Sequence, residues 1–391
     1  MEFSLKTFKY SFKFFIFMNI VLVVLESFVT ENVYGYDNSS GNITPNISNL
    51  ARNGSILLQH ITPANSSSPS LSCIFTGCYQ MTHWVHKNNS KLPKKGIETL
   101  SEALKKEDYT TFGAVGVGVL GSAYNFNRGF DKFSNNSKYD KLMYVLGKIG
   151  NDKFNIRKGL RSTGIFNIFY RPCYKTNEQV FKFLNKHHND KFFIFVEYFD
   201  THGDKSVGYD ENVKLMDSAV GDLVNEIKKY NILEDTLIVI LADHGETLRE
   251  DGKRVHGNDI LESEFRVPCI FYMPNLIPKN KISLLTRSID IFPTILDFAG
   301  VKSILKLDGV SIKETILNNK KVVDEIFMES FPVRNDIKGI RTDKWCYKLY
   351  NGKKEELYDI VDDSKYKNNL SETQKELCLE FKSKIKNHFK I

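Results

Sequence analysis

The chain has 391 residues, of which 41% are hydrophobic and 26% charged. These ordinary proportions exclude a disordered, collagen-like or low-complexity protein, and the length accommodates about two to three domains or one large α/β domain. Lys and Arg outnumber Asp and Glu by 54 to 47, a net charge of +7. The excess is diffuse and carries no arginine-rich run or basic–aromatic stripe, so a nucleic-acid partner is excluded, while an anionic substrate or a membrane surface fits.

Residues 1–13 carry Lys6, Lys9 and Lys13, and Phe14 to Leu25 reads FFIFMNIVLVVL. A basic start before a short apolar run has the form of an export signal, and the run is too short for a membrane span of ~20 residues. No small-residue cleavage site follows, because the chain continues Glu26-Ser27-Phe28-Val29. A buried parallel strand over Asn19–Leu25 accounts better for the β-branched run and would deliver Glu26 to a site. Residues 1–18 are then a basic extension, and export or membrane anchoring is the alternative. Six cysteines without a CxxC pair are too sparse for a disulfide-stapled domain, which points to reduced thiols in a cytoplasmic enzyme.

Further apolar runs follow at Thr111–Leu120, Phe192–Phe199, Thr236–Ala242 and Cys269–Tyr272, with amphipathic stretches such as Val213–Tyr230 between them. Strands alternating with helices predict a mostly parallel α/β sheet with helices on both faces. Ligands of such sheets bind beyond the carboxyl ends of the strands. Those ends place Glu26, then Asp200 and His202, then Asp243, His244 and Gly245 on one rim. Residues 19–300 are expected to form this catalytic domain. From about residue 301 the pieces become shorter and more polar, predicting a small C-terminal α+β subdomain over 301–391 that ends in a Lys-rich helix, Glu372–Phe389.

Three motifs carry chemistry. Asp243-His244-Gly245-Glu246 follows the clean strand TLIVILA, and an adjacent carboxylate and imidazole past a strand end can share a metal ion where glycine permits the turn. A turn with a capping Asp and an exposed His is about as good a reading of that motif alone. Ser66-Ser67-Ser68-Pro69-Ser70 leads into an apolar stretch, which is what any helix N-cap looks like, although a hydroxyl there also sits among N–H groups that cradle an anion. His256-Gly257 lies in a polar loop, where a lone histidine is usually just solvated.

Together the segments resemble one family. NIVLVVLESF at 19–28, SSPSLSCIFTG at 67–77, Arg128-Gly129-Phe130-Asp131, FFIFVEYFDTHG at 192–203, DTLIVILADHGETL at 235–248, HGNDILESEFRVP at 256–268 and IDIFPTILDFAGV at 289–301 stand in the order of the sulfatases of the alkaline phosphatase superfamily. The resemblance implies that Ser67, two residues before Pro69, is the nucleophile, with Ser66 and Ser68 as close neighbours. It implies a divalent metal held by Glu26, Asp243 and His244, which also meets the Ser67 oxygen, and places His202 and His256 on the transferred group.

Two departures define the branch. Paired Asp residues usual after the first strand are replaced by Glu26-Ser27, and the Arg of the motif that directs conversion of the nucleophile to formylglycine is replaced by Leu71. The site chemistry is therefore most similar to the phosphoethanolamine and phosphoglycerol transferases, whose nucleophile is an unmodified hydroxyl, although their N-terminal membrane helices have no counterpart here. The implied function is a metal-dependent hydrolase or transferase of phosphate (or sulfate) esters. Two carboxylates and one imidazole suit Zn²⁺ or Mn²⁺, with Ca²⁺ or Mg²⁺ expected for a true sulfatase bearing formylglycine at Ser67. A catalytically degenerate binder of anionic glycans is the third alternative. The substrate would be a small-molecule, glycan or lipid-headgroup ester, with peripheral membrane contact left open.

Overall fold

A computed structural model describes residues 18–36, 43–135, 170–202, 207–248, 254–330 and 336–391. Residues 1–17 of the basic extension and residues 136–169 lie outside the described residues.

The run Asn19–Leu25 is a strand, β1, with every residue buried. Its side chains alternate between two cores: Ile20, Leu22 and Val24 enter one, and Val21, Val23 and Leu25 the other. That alternation is the period of two of a strand covered on both faces, which explains the uninterrupted apolar sequence. Ser55–Ile61 (β2), Thr110–Val115 (β3), Lys132–Ser134 (β4), Phe192–Tyr198 (β5) and Thr236–Ala242 (β6) follow in chain order. A short ribbon pairs Thr247–Leu248 (β7) with Arg254–Val255 (β8), and Cys269–Tyr272 (β9) and Asn280–Arg287 (β10) complete the main part.

The large sheet has eight strands in the order β10-β2-β9-β6-β1-β5-β3-β4. β1 runs parallel to both β5 and β6, so Glu26 leaves the sheet between the ends of those strands. β9 is antiparallel to β2 and β6, which makes the sheet mixed but mostly parallel. Helices Ser67–Thr76 and Ile291–Ala299 pack on one face through Leu71, Ile74, Phe75, Phe292 and Ile295. Helices Pro45–Asn53, Cys173–His187 and Tyr209–Lys229 cover the other through Ile47, Val180, Leu184, Val213, Met216 and Val220.

Several predicted bounds shift. The run expected as a strand to Leu120 stops at Val115, and Gly118–Leu120 forms a 3₁₀ turn. The helix expected from Val213 begins at Tyr209, and the C-terminal helix begins at Lys375 rather than Glu372. The polar C-terminal pieces form an antiparallel sheet of Glu325–Ser330 (β11), Ile337–Thr342 (β12), Trp345–Tyr350 (β13) and Lys354–Asp359 (β14), with helix Lys375–Phe389 packed on it through Phe381, Ile385 and Phe389.

Candidate active site and metal centre

Glu26 continues the ladder of β1, its N–H donating to the Tyr198 carbonyl at 3.0 Å. Ser27 then turns the chain sharply with φ +48, a left-handed conformation uncommon for serine. The turn aims the Ser27 N–H at Asp243 Oδ1 (3.0 Å) and its hydroxyl at His202 Nε2 (2.8 Å), stitching the β1 end to those of β6 and β5.

Glu26, Asp243 and His244 offer three ligand atoms that lie within 4.8 Å of one another, and all three residues are fully buried. Glu26 Oε2, Asp243 Oδ2 and His244 Nε2 have no hydrogen-bond partner. His244 Nδ1 lies 2.8 Å from the Gly245 carbonyl, so that nitrogen carries the proton and the Nε2 lone pair faces Glu26 Oε1 at 3.6 Å and Asp243 Oδ2 at 3.5 Å. Burial, then the facing Asp243 carboxylate, pushes the Glu26 carboxyl well above its ordinary range. A buried set of two carboxylates and an imidazole lone pair is costly as it stands and would be offset by a divalent cation. The residues therefore fit such an ion.

Ser67 opens its helix, and its hydroxyl donates to Glu26 Oε1 at 2.5 Å. The neighbouring serines do other work. Ser66 is the N-cap, Ser68 Oγ has no partner, and Ser70 Oγ donates to the Asp243 carbonyl at 2.5 Å, fastening the helix to β6. Asn88 Oδ1 accepts from the Ser68 N–H at 2.8 Å. Leu71 is wholly buried in the core.

His202 and His256 are brought to the same rim, with ring centroids 5.0 Å apart, and His256 lies 4.5 Å from the His244 ring. His202 Nε2 is 3.6 Å from Glu26 Oε1. Sequence reasoning missed the residue that joins them. Glu246, 3% exposed, sets its carboxylate oxygens 3.0 and 3.2 Å from His256 Nδ1. The DHGE motif contained that signal, and the ribbon realises it: Thr247 faces Val255, so Glu246 and His256 flank the next step of the pair.

Two expectations need correction. Asp200 does not join the rim carboxylates; it accepts the Cys173 N–H at the start of a helix, and burial raises its carboxyl to about 6. Gly245 serves by absence of a side chain rather than by a special turn, since a Cβ there would collide with the Ser263 carbonyl.

The family model described as sulfatase matches residues 18–301, and one described as the C-terminal part of N-sulphoglucosamine sulphohydrolase matches residues 255–390. Choline-sulfatase of Rhizobium meliloti (strain 1021) is 30% identical over 170 residues, which are 42% of this chain and 32% of that protein. Arylsulfatase K of Rattus norvegicus is 24% identical over 55% of this chain and 37% of its own. The chain thus spans about a third of the length of these curated relatives. Among solved structures, Ps i-CgsB in complex with k-i-k-neocarrahexaose superposes with a TM-score of 0.76 at 22% identity, covering 95% of this chain and 93% of the other. The phosphonate monoester hydrolase of Agrobacterium radiobacter gives 0.74 at 16% identity, covering 94% of each. These likenesses show a common fold.

Proposed function

The chain belongs to the sulfatase family, and on that premise we propose that it cleaves or transfers phosphate esters through the unmodified hydroxyl of Ser67. The observation that carries this reading is the 2.5 Å hydrogen bond from Ser67 to Glu26, at the edge of the buried Glu26–Asp243–His244 set. Those three residues would hold the ion, and the mixed oxygen and nitrogen donors favour Zn²⁺ or Mn²⁺. When bound, a divalent cation supplies positive charge that stabilises an alkoxide and polarises the ester.

The residues of the chain do the rest. Glu26 orients the Ser67 hydroxyl, whose proton departs along that hydrogen bond as Oγ attacks phosphorus in line. The bond to the leaving oxygen breaks, and His202 or His256 gives that oxygen its proton. In the second half the same imidazole deprotonates water or an acceptor hydroxyl, which attacks phosphorus; the bond to Ser67 Oγ breaks, and Oγ takes its proton back from Glu26. Two half-reactions of this kind give ping-pong kinetics.

Leu71 supports an unmodified nucleophile, because an apolar core residue stands where the maturation motif has Arg. A true sulfatase with formylglycine at Ser67 is the second reading, supported by the names of the relatives, choline-sulfatase and arylsulfatase K. The substrate class is a small-molecule, glycan or lipid-headgroup ester; the k-i-k-neocarrahexaose named for the Ps i-CgsB complex supports the glycan option. A reducing, cytoplasmic location belongs to the same proposal, supported by six free cysteines. Among the described residues no helix is long and apolar enough to cross a membrane.

Peptide mass spectrometry across Ser67, on metal-loaded protein given generic phosphate and sulfate esters, tests the reading. A gain of one phosphoryl group on Ser67 is expected. Loss of two hydrogens at Ser67, with cleavage of aryl sulfates, replaces it with the sulfatase reading.

A further inference from the structure

Helix Gln80–His83 ends on Trp84, a residue that neither its backbone nor the core would select. Its φ is +59, the left-handed conformation that glycine usually supplies at a helix end and that a bulky side chain rarely adopts. Its indole is 67% exposed, so burial of the ring contributes little to the fold. We propose that Trp84 is a platform on which a sugar ring of the substrate stacks, which commits the ester to the glycan class. Its part in turnover rests on the Ser67 reading above.

The turn is held from beneath. The Trp84 N–H donates to the Gln80 carbonyl at 2.7 Å, and the wholly buried His83 accepts the Val85 N–H on Nδ1 at 3.1 Å. His83 Nε2 lies 3.3 Å from Cys73 Sγ, in the helix that Ser67 opens. Strained backbone persists only where its surroundings impose it, and it gathers at binding sites. An aromatic ring left out of the core, at a position easier for glycine, is placed to meet something from solvent.

The turn also stands close to the nucleophile. Asn88 accepts the Ser68 N–H at 2.8 Å, and the chain from Trp84 to Asn88 can span at most about 14 Å. Between them the His86 ring lies 6.3 Å from the indole, centroid to centroid, and sets its Nδ1 2.8 Å from Glu329 Oε2. Glu329 in turn donates its N–H to the Pro63 carbonyl at 2.9 Å and bridges Ala64, on the segment that leads into Ser67. A short oligosaccharide esterified at the reacting centre covers such a distance. The setting favours a sugar over an acyl chain. Thr82, Lys87, Asn88 and Asn89, near Trp84 in the chain, are exposed and polar, and a lone apolar ring among them is too small to take up a lipid tail. A pyranose lays its C–H face on such a ring and turns its hydroxyls to polar groups at the edge.

The test compares esters with and without a ring. The full chain, metal-loaded, is assayed with the 6-phosphates of glucose, galactose and N-acetylglucosamine and with glycerol 3-phosphate. At least one hexose phosphate should be preferred in kcat/KM, and Trp84→Ala should cut that preference about tenfold. Trp84→Phe, which keeps a flat ring, should restore most of it. Trp84→Gly should lose the preference while its unfolding midpoint holds or rises, because glycine relieves the backbone. The proposal is overturned by no preference in the unaltered chain, by a preference that survives in Trp84→Ala and Trp84→Gly, or by an equal fall for both kinds of ester. Binding is read separately, as quenching of tryptophan fluorescence by the same hexose phosphates, expected in the unaltered chain and absent from Trp84→Phe. Quenching with no phosphoryl group on Ser67 spares the platform and sinks the Ser67 reading. A phosphoryl group on Ser67 from glycerol 3-phosphate, with neither quenching nor sugar preference, does the reverse.

Discussion

Arg341 and Glu262, largely buried, meet at 2.7 Å between the C-terminal sheet and the main one, whereas Glu26 and Asp243, fully buried, face each other with one oxygen apiece unpartnered. Both regions bury charge, and only one neutralises it. Around the C-terminal sheet, Lys338 is paired with Glu329, and Lys348 lies 3.3 Å from Asp259. Burial there raises Glu262, but Arg341 and its other donors outweigh that and leave it below the ordinary carboxylate range; Glu329 behaves alike under His86 and Lys338. At the rim no cation opposes burial to that degree, and Glu26 is driven upward. The difference separates charges that hold two sheets together from charges arranged to receive something.

The sharpest break would come at the nucleophile. Ser67→Ala should lower kcat by about 10⁴-fold or more while metal content and unfolding midpoint stay put. Retained turnover would move the nucleophile to Ser66 or Ser68. Asp243→Asn should cost on the order of 10³-fold in kcat/KM and one bound ion. Its metal-free form should be no less stable in urea, because Asn keeps the Oδ1 acceptor for Ser27 while the repulsion of Glu26 disappears. A clear loss of apo stability would mean that the rim carboxylates hold the fold as well.

Arg341→Met probes the other side of the comparison. It strands Glu262 without its bidentate partner and should destabilise by about 3–5 kcal/mol in urea unfolding, with kcat unchanged in the folded fraction. An effect confined to kcat would erase the distinction between the regions. The smallest effect concerns buried histidines. Burial lowers His60 and His83 to about 3 each. The unfolded chain takes up those protons near 6.5 and the folded chain only near 3, so this contribution to stability is full above 6.5 and lost as pH falls toward 3. The slope of Tm between pH 7 and 5 should therefore flatten in His83→Gln. An unaltered slope would show that His83 is protonated in the fold.

Legibility in the sequence followed burial. β1, β5 and β6 are covered on both faces and read as mostly apolar runs, although β5 carries a buried Glu197 that accepts the Gly116 N–H; Glu26, His202, Asp243 and His244 could be read just beyond those ends. β2 reads SILLQHI and carries Gln59 and His60 within its apolar run, because Gln59 reaches Arg341 and His60 reaches Thr286; polar partners hundreds of residues away hid the strand. The antiparallel insertion of β9 has no local mark either, since a four-residue apolar strand reads alike in both directions. Nothing local in the sequence marks Lys338, Arg341 and Lys348 as buried, because their carboxylate partners lie in other segments. Glu246 was visible in its motif, yet its significance depends on a ribbon that only three-dimensional pairing creates.

The position of β1 has a consequence for how the molecule is made. This strand is made before its neighbours β5 and β6, which begin at Phe192 and Thr236. Until β5 is made, about half-way along the chain, β1 has both edges unpaired, and one edge stays open until β6 follows, a state prone to off-pathway association. Contacts of such long sequence separation also form slowly. Catalytic competence should accordingly emerge late in refolding, in step with closure of the central strand rather than with the earlier appearance of helical signal.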